Sequence, residues 1–188
     1  MIKNFYIKNM VCDRCIKVLR EELQNCGIEV LHIELGEIQL SMQNIEDETN
    51  LHSILEKNGF SLIESPEKQL VEQIKIELIK LLDDLPLELN QNLSIYLEDV
   101  VHTEYSKISK LFSTTEGITI EKYFIKLKIE KVKELIQNQE YNFTEISQLL
   151  NYSNVNYLSR QFASETGMSL TFYKSNNANN RNPLDRIM

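Results

Sequence analysis

Cys12 and Cys15, in the run Met10-Val-Cys12-Asp-Arg-Cys15, form one set of side chains whose types and spacing could do chemistry. They lie where a strand-like run gives way to a helical one. Both sulfurs are therefore expected at a helix N-terminus, where free N–H groups and the helix dipole favour thiolate. Two thiolates on a short loop suit a soft ion: Cu(I) first, and Zn(II) where further ligands are recruited. The same thiols would serve a thiol–disulfide switch, and a fold that keeps the pair without using it is a third reading. Cys26, near the end of the same helix, is expected to pack rather than to ligate. His32 and His52 read as ordinary strand and helix histidines.

A second set is polar and occurs twice. Ser106-Lys-Ile-Ser-Lys-Leu-Phe112 with Gly117 matches Asn156-Tyr-Leu-Ser-Arg-Gln-Phe162 with Gly167, about 50 residues later. If Ile108, Leu111 and Phe112 face inward, the 3.6-residue helical period turns Ser106, Ser109, Lys110 and Ser113 outward, and Lys107 joins Ser106, Ser109 and Lys110 as a candidate DNA contact. Leu158 and Phe162 likewise leave Asn156, Ser159 and Arg160 outside. These types suit a DNA major groove: Arg and Lys donate to guanine O6 and N7, Asn pairs with adenine, and Ser reaches base or phosphate.

The elements that must hold these residues can be traced from periodicity. Phe5 to Ile7 is strand-like, Cys12 to Leu23 is helical and ends at Gly27, and Ile28 to Leu35 and Glu37 to Met42 form a hairpin broken at Gly36. Leu51, Ile54 and Leu55 mark a second helix that stops at Asn58-Gly59, and Phe60 to Ile63 a last strand. The order β-α-β-β-α-β is that of a ferredoxin-like sandwich, two helices on one face of a four-stranded antiparallel sheet. Ser65-Pro66 then opens a new helix, with Ser as cap and Pro in the first helical position. Val71, Ile74, Leu78, Leu81 and Leu85 step by three and four along it, which fits a core helix or a short seam with a second copy of the chain.

From Leu93 the chain reads as all helix: short helices over Ser94 to Val101 and Thr144 to Leu150, each followed by one of the repeated helices, with a long connector over Thr119 to Gln137. At 1.5 Å per residue such a connector is roughly 28 Å long, against about 34 Å for one turn of B-DNA. The fold class expected is α+β: a ferredoxin-like βαββαβ sandwich over 1–64, then an all-α domain over 65–175 with two helix-turn-helix units joined by a long helix, and a disordered tail over 176–188.

Bulk properties narrow the function. The 188 residues are 42% hydrophobic, enough for real cores, and no apolar run approaches the roughly 20 residues of a membrane span. Met1-Ile2-Lys3-Asn4 runs straight into strand-like sequence without a secretory signal, so a cytoplasmic location is expected. The net charge of −8 is unevenly spread: residues 1–64 hold six Lys/Arg against eleven Asp/Glu and 65–104 three against nine, whereas 105–188 hold eleven against eight. Phosphate affinity depends on local charge, so the acidic total does not exclude a DNA-binding half. No nucleophile with a base partner, phosphate-binding glycine loop or paired carboxylates stands out, and the chain is read as a non-enzyme.

Two resemblances add to this. Residues from about Leu93 to Lys174 resemble the AraC-type DNA-binding domain, most diagnostically in Glu145-Ile-Ser, Leu150-Asn-Tyr-Ser153, Tyr157-Leu-Ser-Arg-Gln-Phe162, Gly167-Met-Ser169 and Tyr173-Lys174. The resemblance implies a sequence-specific transcriptional regulator with double-stranded DNA as partner, RNA polymerase and a second copy of the chain as further candidates, and no membrane partner. It also implies base contacts from Ser106, Ser109, Lys110, Asn156, Ser159 and Arg160. Two positions depart from the family pattern: Glu98 stands where Ser147 shows the usual small residue, and Asn151 replaces the usual glycine of the second turn. Residues 2–63 resemble the heavy-metal-associated domain, with Cys12 and Cys15 as ligands, Met10 in the supporting position and Lys57-Asn-Gly-Phe60 near the end. Together these imply a regulator controlled by a soft metal such as Cu(I). The alternatives are a thiol–disulfide-responsive regulator, or a metal-trafficking module whose helical half docks a protein.

Overall fold

The computed structural model describes residues 1–89, 91–176, 181–184 and 187. The chain divides into two compact units, Met1–Ile76 and Glu77–Met188.

The first unit runs β1 (Ile2–Lys8), α1 (Asp13–Asn25), β2 (Glu29–Glu34), β3 (Glu37–Ser41), α2 (Ile45–Lys57) and β4 (Ser61–Leu62), followed by the first part of α3 (Pro66–Asp83). The sheet order is β2-β3-β1-β4, antiparallel at each pairing, and the architecture is the expected ferredoxin-like one. α1 buries Leu19 and Leu23, one turn apart, and α2 buries Leu51, Ile54 and Leu55. These pack with Ile7, Ile38 and Leu40 from the central strands. α2 starts on a capping box: the Asn44 side chain accepts the Asp47 N–H at 2.9 Å and Asp47 accepts the Asn44 N–H at 3.2 Å. α1 and α2 end alike, with Ile28 N–H donating to Leu23 O at 3.0 Å and Phe60 N–H to Leu55 O at 2.8 Å across Gly27 and Gly59.

The hairpin between β2 and β3 closes at Leu35-Gly36, where Gly36 takes φ +76° and an added Cβ would lie 2.3 Å from Ile76 Cδ1. That methyl ends a flexible side chain and can move aside, so backbone strain should dominate. Gly36→Ala is expected to lower stability by about 1–2 kcal/mol, read as a fall in urea midpoint.

Pro66 is the first residue of α3, as the Ser-Pro signal predicts. Val71, Ile74 and Leu78 are buried within the single chain, but so are Ile76, Ile79 and Leu82, while Leu81 is half-buried. The helix ends at Asp83, before Leu85. The three-four stepping is therefore not a single buried seam. Most sides of the helix are covered, as for a core helix. Glu72 and Lys75, both buried, pair at 3.4 Å, and Glu72 accepts the Asn9 N–H at 2.9 Å.

The second unit continues with α4 (Leu93–Val101), α5 (Tyr105–Glu116), α6 (Ile120–Asn138), α7 (Phe143–Leu149), α8 (Val155–Thr166) and α9 (Leu170–Ser175). The short helices and the 19-residue connector fall where periodicity places them. The tail expected to be disordered from Asn176 falls partly on residues outside the described set. Of its described residues, Arg181 pairs with Glu134 at 2.7 Å, Asn182 N–H donates to Glu130 at 2.9 Å, and Ile187 is buried. No described helix is long and apolar enough to cross a membrane.

Candidate functional site

The repeat is three helices deep. In the first copy α4 and α5 pack together and the start of α6 follows; in the second, α7, α8 and α9 do the same. Ile108 and Phe112 on α5 are fully buried, as are Leu158 and Phe162 on α8. Each phenyl ring meets a tyrosine edge-on from the third helix, Phe112 with Tyr123 and Phe162 with Tyr173, both at 5.5 Å between centroids. Each third helix is capped by a hydroxyl: Thr119 accepts the Lys122 N–H at 3.2 Å and Ser169 the Phe172 N–H at 3.1 Å. Both second helices end at a left-handed glycine, Gly117 at φ +74° and Gly167 at φ +72°.

With those residues inward, the helical period sets what remains outside. Ser106, Lys107 and Lys110 on α5 and Asn156 and Arg160 on α8 are exposed, while Ser109 and Ser159 are half-buried at the margin. Ser113 and Leu111 are also half-buried, so the inward face of α5 is narrower than the expected Ile108-Leu111-Phe112 set. Lys107 pairs with Glu104 at 3.2 Å, with both side chains about 70% exposed, a contact too solvated to hold the ammonium against a phosphate.

The two departures from the family pattern find different accommodations. Asn151 takes φ +53°, the left-handed conformation a glycine would supply. Ser147, buried in α7, donates to Thr144 O at 2.9 Å. Glu98 instead sends its carboxylate to the Tyr105 N–H at the first residue of α5, where the N-cap residue Glu104 makes no side-chain cap bond. In the second copy that task falls to the cap itself, Asn154, which accepts the Tyr157 N–H at 2.9 Å. The acidic side chain thus replaces a missing helix cap, which residue size alone does not disclose. Glu98→Ala is expected to destabilise the helical unit by about 1 kcal/mol, with Glu98→Gln retaining most of the effect because its amide oxygen still accepts. Thermal melts of both variants check this.

Other contacts support α8. The Tyr152 hydroxyl donates to Gln161 Oε1 at 2.7 Å, and the Lys128 ammonium sits 3.8 Å above the Tyr152 ring. Burial pulls the Lys128 ammonium down to about 8 and pushes the Tyr152 phenol up. Lys122, in the first turn of α6, pairs with Glu165 on α8 at 2.5 Å, so the connecting helix grips α8 directly. Periodicity places Lys122 and Lys128 on a helix but cannot show what they meet.

In the N-terminal unit, Cys12 is the N-cap of α1 and Cys15 lies in its first turn, with sulfurs 3.2 Å apart. The Cys15 thiol is pushed up, chiefly by burial and then by its hydrogen bond with Cys12, against the smaller opposing pull of the backbone hydrogen bonds. At Cys15 burial therefore outweighs the expected thiolate-favouring effect of the helix terminus. Met10 is fully buried in the core, so its support is packing beneath the loop rather than ligation. Cys26 is exposed at the far end of α1, not packed as expected, and a 13-residue helix of about 20 Å separates it from Cys12. His32 and His52 are both exposed. No group of three or more His, Cys, Asp or Glu side chains suited to a metal occurs among the described residues. The donor set present, two thiols on one loop, fits an ion content with two soft ligands better than tetrahedral Zn(II).

Residues 97–176 match the family model of a helix-turn-helix domain, from Leu97 in α4 to Asn176 just past α9. No curated protein and no solved structure matches the chain. The duplicated scaffold and its paired polar faces lie within the matched stretch: residues 97–176 are similar to a helix-turn-helix domain.

Proposed function

We propose that the protein is a sequence-specific transcriptional regulator that reads double-stranded DNA with α5 and α8, and that its N-terminal unit places this binding under the control of a soft metal ion. Ser106, Lys107, Ser109 and Lys110 would form one reading face and Asn156, Ser159 and Arg160 the other. The observation that carries the reading is the repetition itself: two helices buried through equivalent residues leave a basic residue, Lys110 or Arg160, at the same helical position in each copy. A solvated amphipathic helix needs no such correspondence. A connector of roughly 28 Å suits successive major grooves on one side of a duplex. Selection of bound fragments from a random DNA pool, with and without Cu(I), tests this. A defined motif with two half-sites supports it, and recovery of random sequence contradicts it.

Cys12 and Cys15 would hold the ion, Cu(I) before Zn(II), with Met10 packing beneath the loop. The bound ion would supply a structural charge at the start of α1 rather than a reactive group. Cys12→Ser is expected to abolish stoichiometric Cu(I) uptake under anaerobic reducing conditions, where a disulfide switch cannot operate. Uptake unchanged in that variant would remove the metal reading.

A further inference from the structure

The equivalence of the two copies assigns a role to a residue that its chemistry alone leaves unmarked. Tyr157 stands at the position in α8 that Lys107 holds in α5, between Asn156 and Arg160 at the start of the recognition helix. Its side chain is large yet 46% exposed, and among the described residues its hydroxyl has no hydrogen-bond partner. Its ring is not loose. The buried Tyr152 ring lies 6.0 Å away, tilted by 47°, and is itself fixed by its bond to Gln161 and by the Lys128 ammonium. On the other side, Arg160 Cζ lies 6.0 Å from the Tyr157 ring centroid, at the edge of cation–π range. One turn of helix separates the two residues, the spacing at which side chains share a face.

We infer that Tyr157 is a further DNA-contacting residue, its hydroxyl donating to a backbone phosphate and its ring positioning the Arg160 guanidinium for the base edge. A phenol donates to phosphate as readily as the other polar side chains that fix register on a duplex. The ring removes part of the rotamer freedom an exposed arginine would otherwise lose on binding. Lys107 supplies a phosphate contact by charge in the first copy; Tyr157 supplies one by hydrogen bonding in the second, on a stack that runs from α6 through the turn before α8. The inference rests on the DNA-reading proposal and deepens it.

The test compares wild type, Tyr157→Ala, Tyr157→Phe and Arg160→Ala on the DNA selected by the wild-type protein and on versions altered at each base pair. Tyr157→Ala is expected to bind about fivefold to tenfold more weakly and to lose discrimination at the same base pair as Arg160→Ala. Tyr157→Phe is expected to lose affinity but keep that discrimination, because the ring remains. Tyr157→Phe keeps the ring contact with Tyr152 and should melt with wild type, and thermal melts of every variant separate lost contact from lost fold. Wild-type affinity in Tyr157→Ala, or weaker binding with discrimination intact, overturns the inference. Loss of discrimination in Tyr157→Phe overturns it too. If wild type selects no sequence and Arg160→Ala changes nothing, the DNA-reading proposal itself fails instead.

Discussion

Replacing Arg160 by alanine is expected to weaken binding at the selected site by about 1–3 kcal/mol and to relax the preference at one base pair. The guanidinium is exposed on α8 and carries a planar set of donors that matches guanine O6 and N7. On the proposed reading, removing it would delete two directed bonds at one position rather than a diffuse charge. Affinity should therefore fall most on the cognate site and least on random DNA, bringing the two closer. Titrations of both DNAs at one fixed salt concentration check this, since salt alone shifts every phosphate-dependent affinity. Equal losses on both would reduce Arg160 to a phosphate contact.

Phe162→Ala should act through the scaffold instead, destabilising the helical unit by about 3–5 kcal/mol. The ring is fully buried, meets Tyr173 edge-on at 5.5 Å, and lies one turn from Leu158 on the same inward face of α8. Truncation loses both its transfer energy and the ring pairing, and leaves a cavity between helices that cannot fully collapse. Denaturant unfolding followed through the helical signal measures the loss. A shift well under 1 kcal/mol would mean that α8 is held mainly by other contacts, such as the Lys122–Glu165 pair. DNA binding should fall in parallel, but recover with stabilising co-solvent, which it would not do for Arg160→Ala.

Much of this architecture is legible in the chain because its punctuation is local. Gly27, Gly36 and Gly59 all take positive φ at the turns that their positions mark, and Pro66 opens α3 as a first helical residue should. The repeat is legible from Ser106 to Gly117, yet it extends further, to Thr119 with Ser169 and Tyr123 with Tyr173. Tyr123 reads in sequence as one more apolar residue of a long connector. Its second identity, as the ring that pins Phe112, needs the fold. Glu98 shows the same limit, because an acidic residue in place of a small one reads as a flaw until its carboxylate is seen at the Tyr105 amide. The stepping of Val71 to Leu85 fits either a core helix or a short seam; burial on most sides of α3 favours the core helix, and the periodicity overruns the helix end at Asp83. Cys15 reads as a helix-terminus thiolate, but sequence does not report how far burial opposes the dipole there.

Methylation interference at guanine N7, on the duplex selected by the wild-type protein, tests the central claim most directly. Two clusters of interfering guanines roughly 10 base pairs apart are predicted, one lost in Arg160→Ala and the other in Lys110→Ala. Interference confined to one cluster, or indifferent to both substitutions, would contradict reading of the major groove by the paired recognition helices.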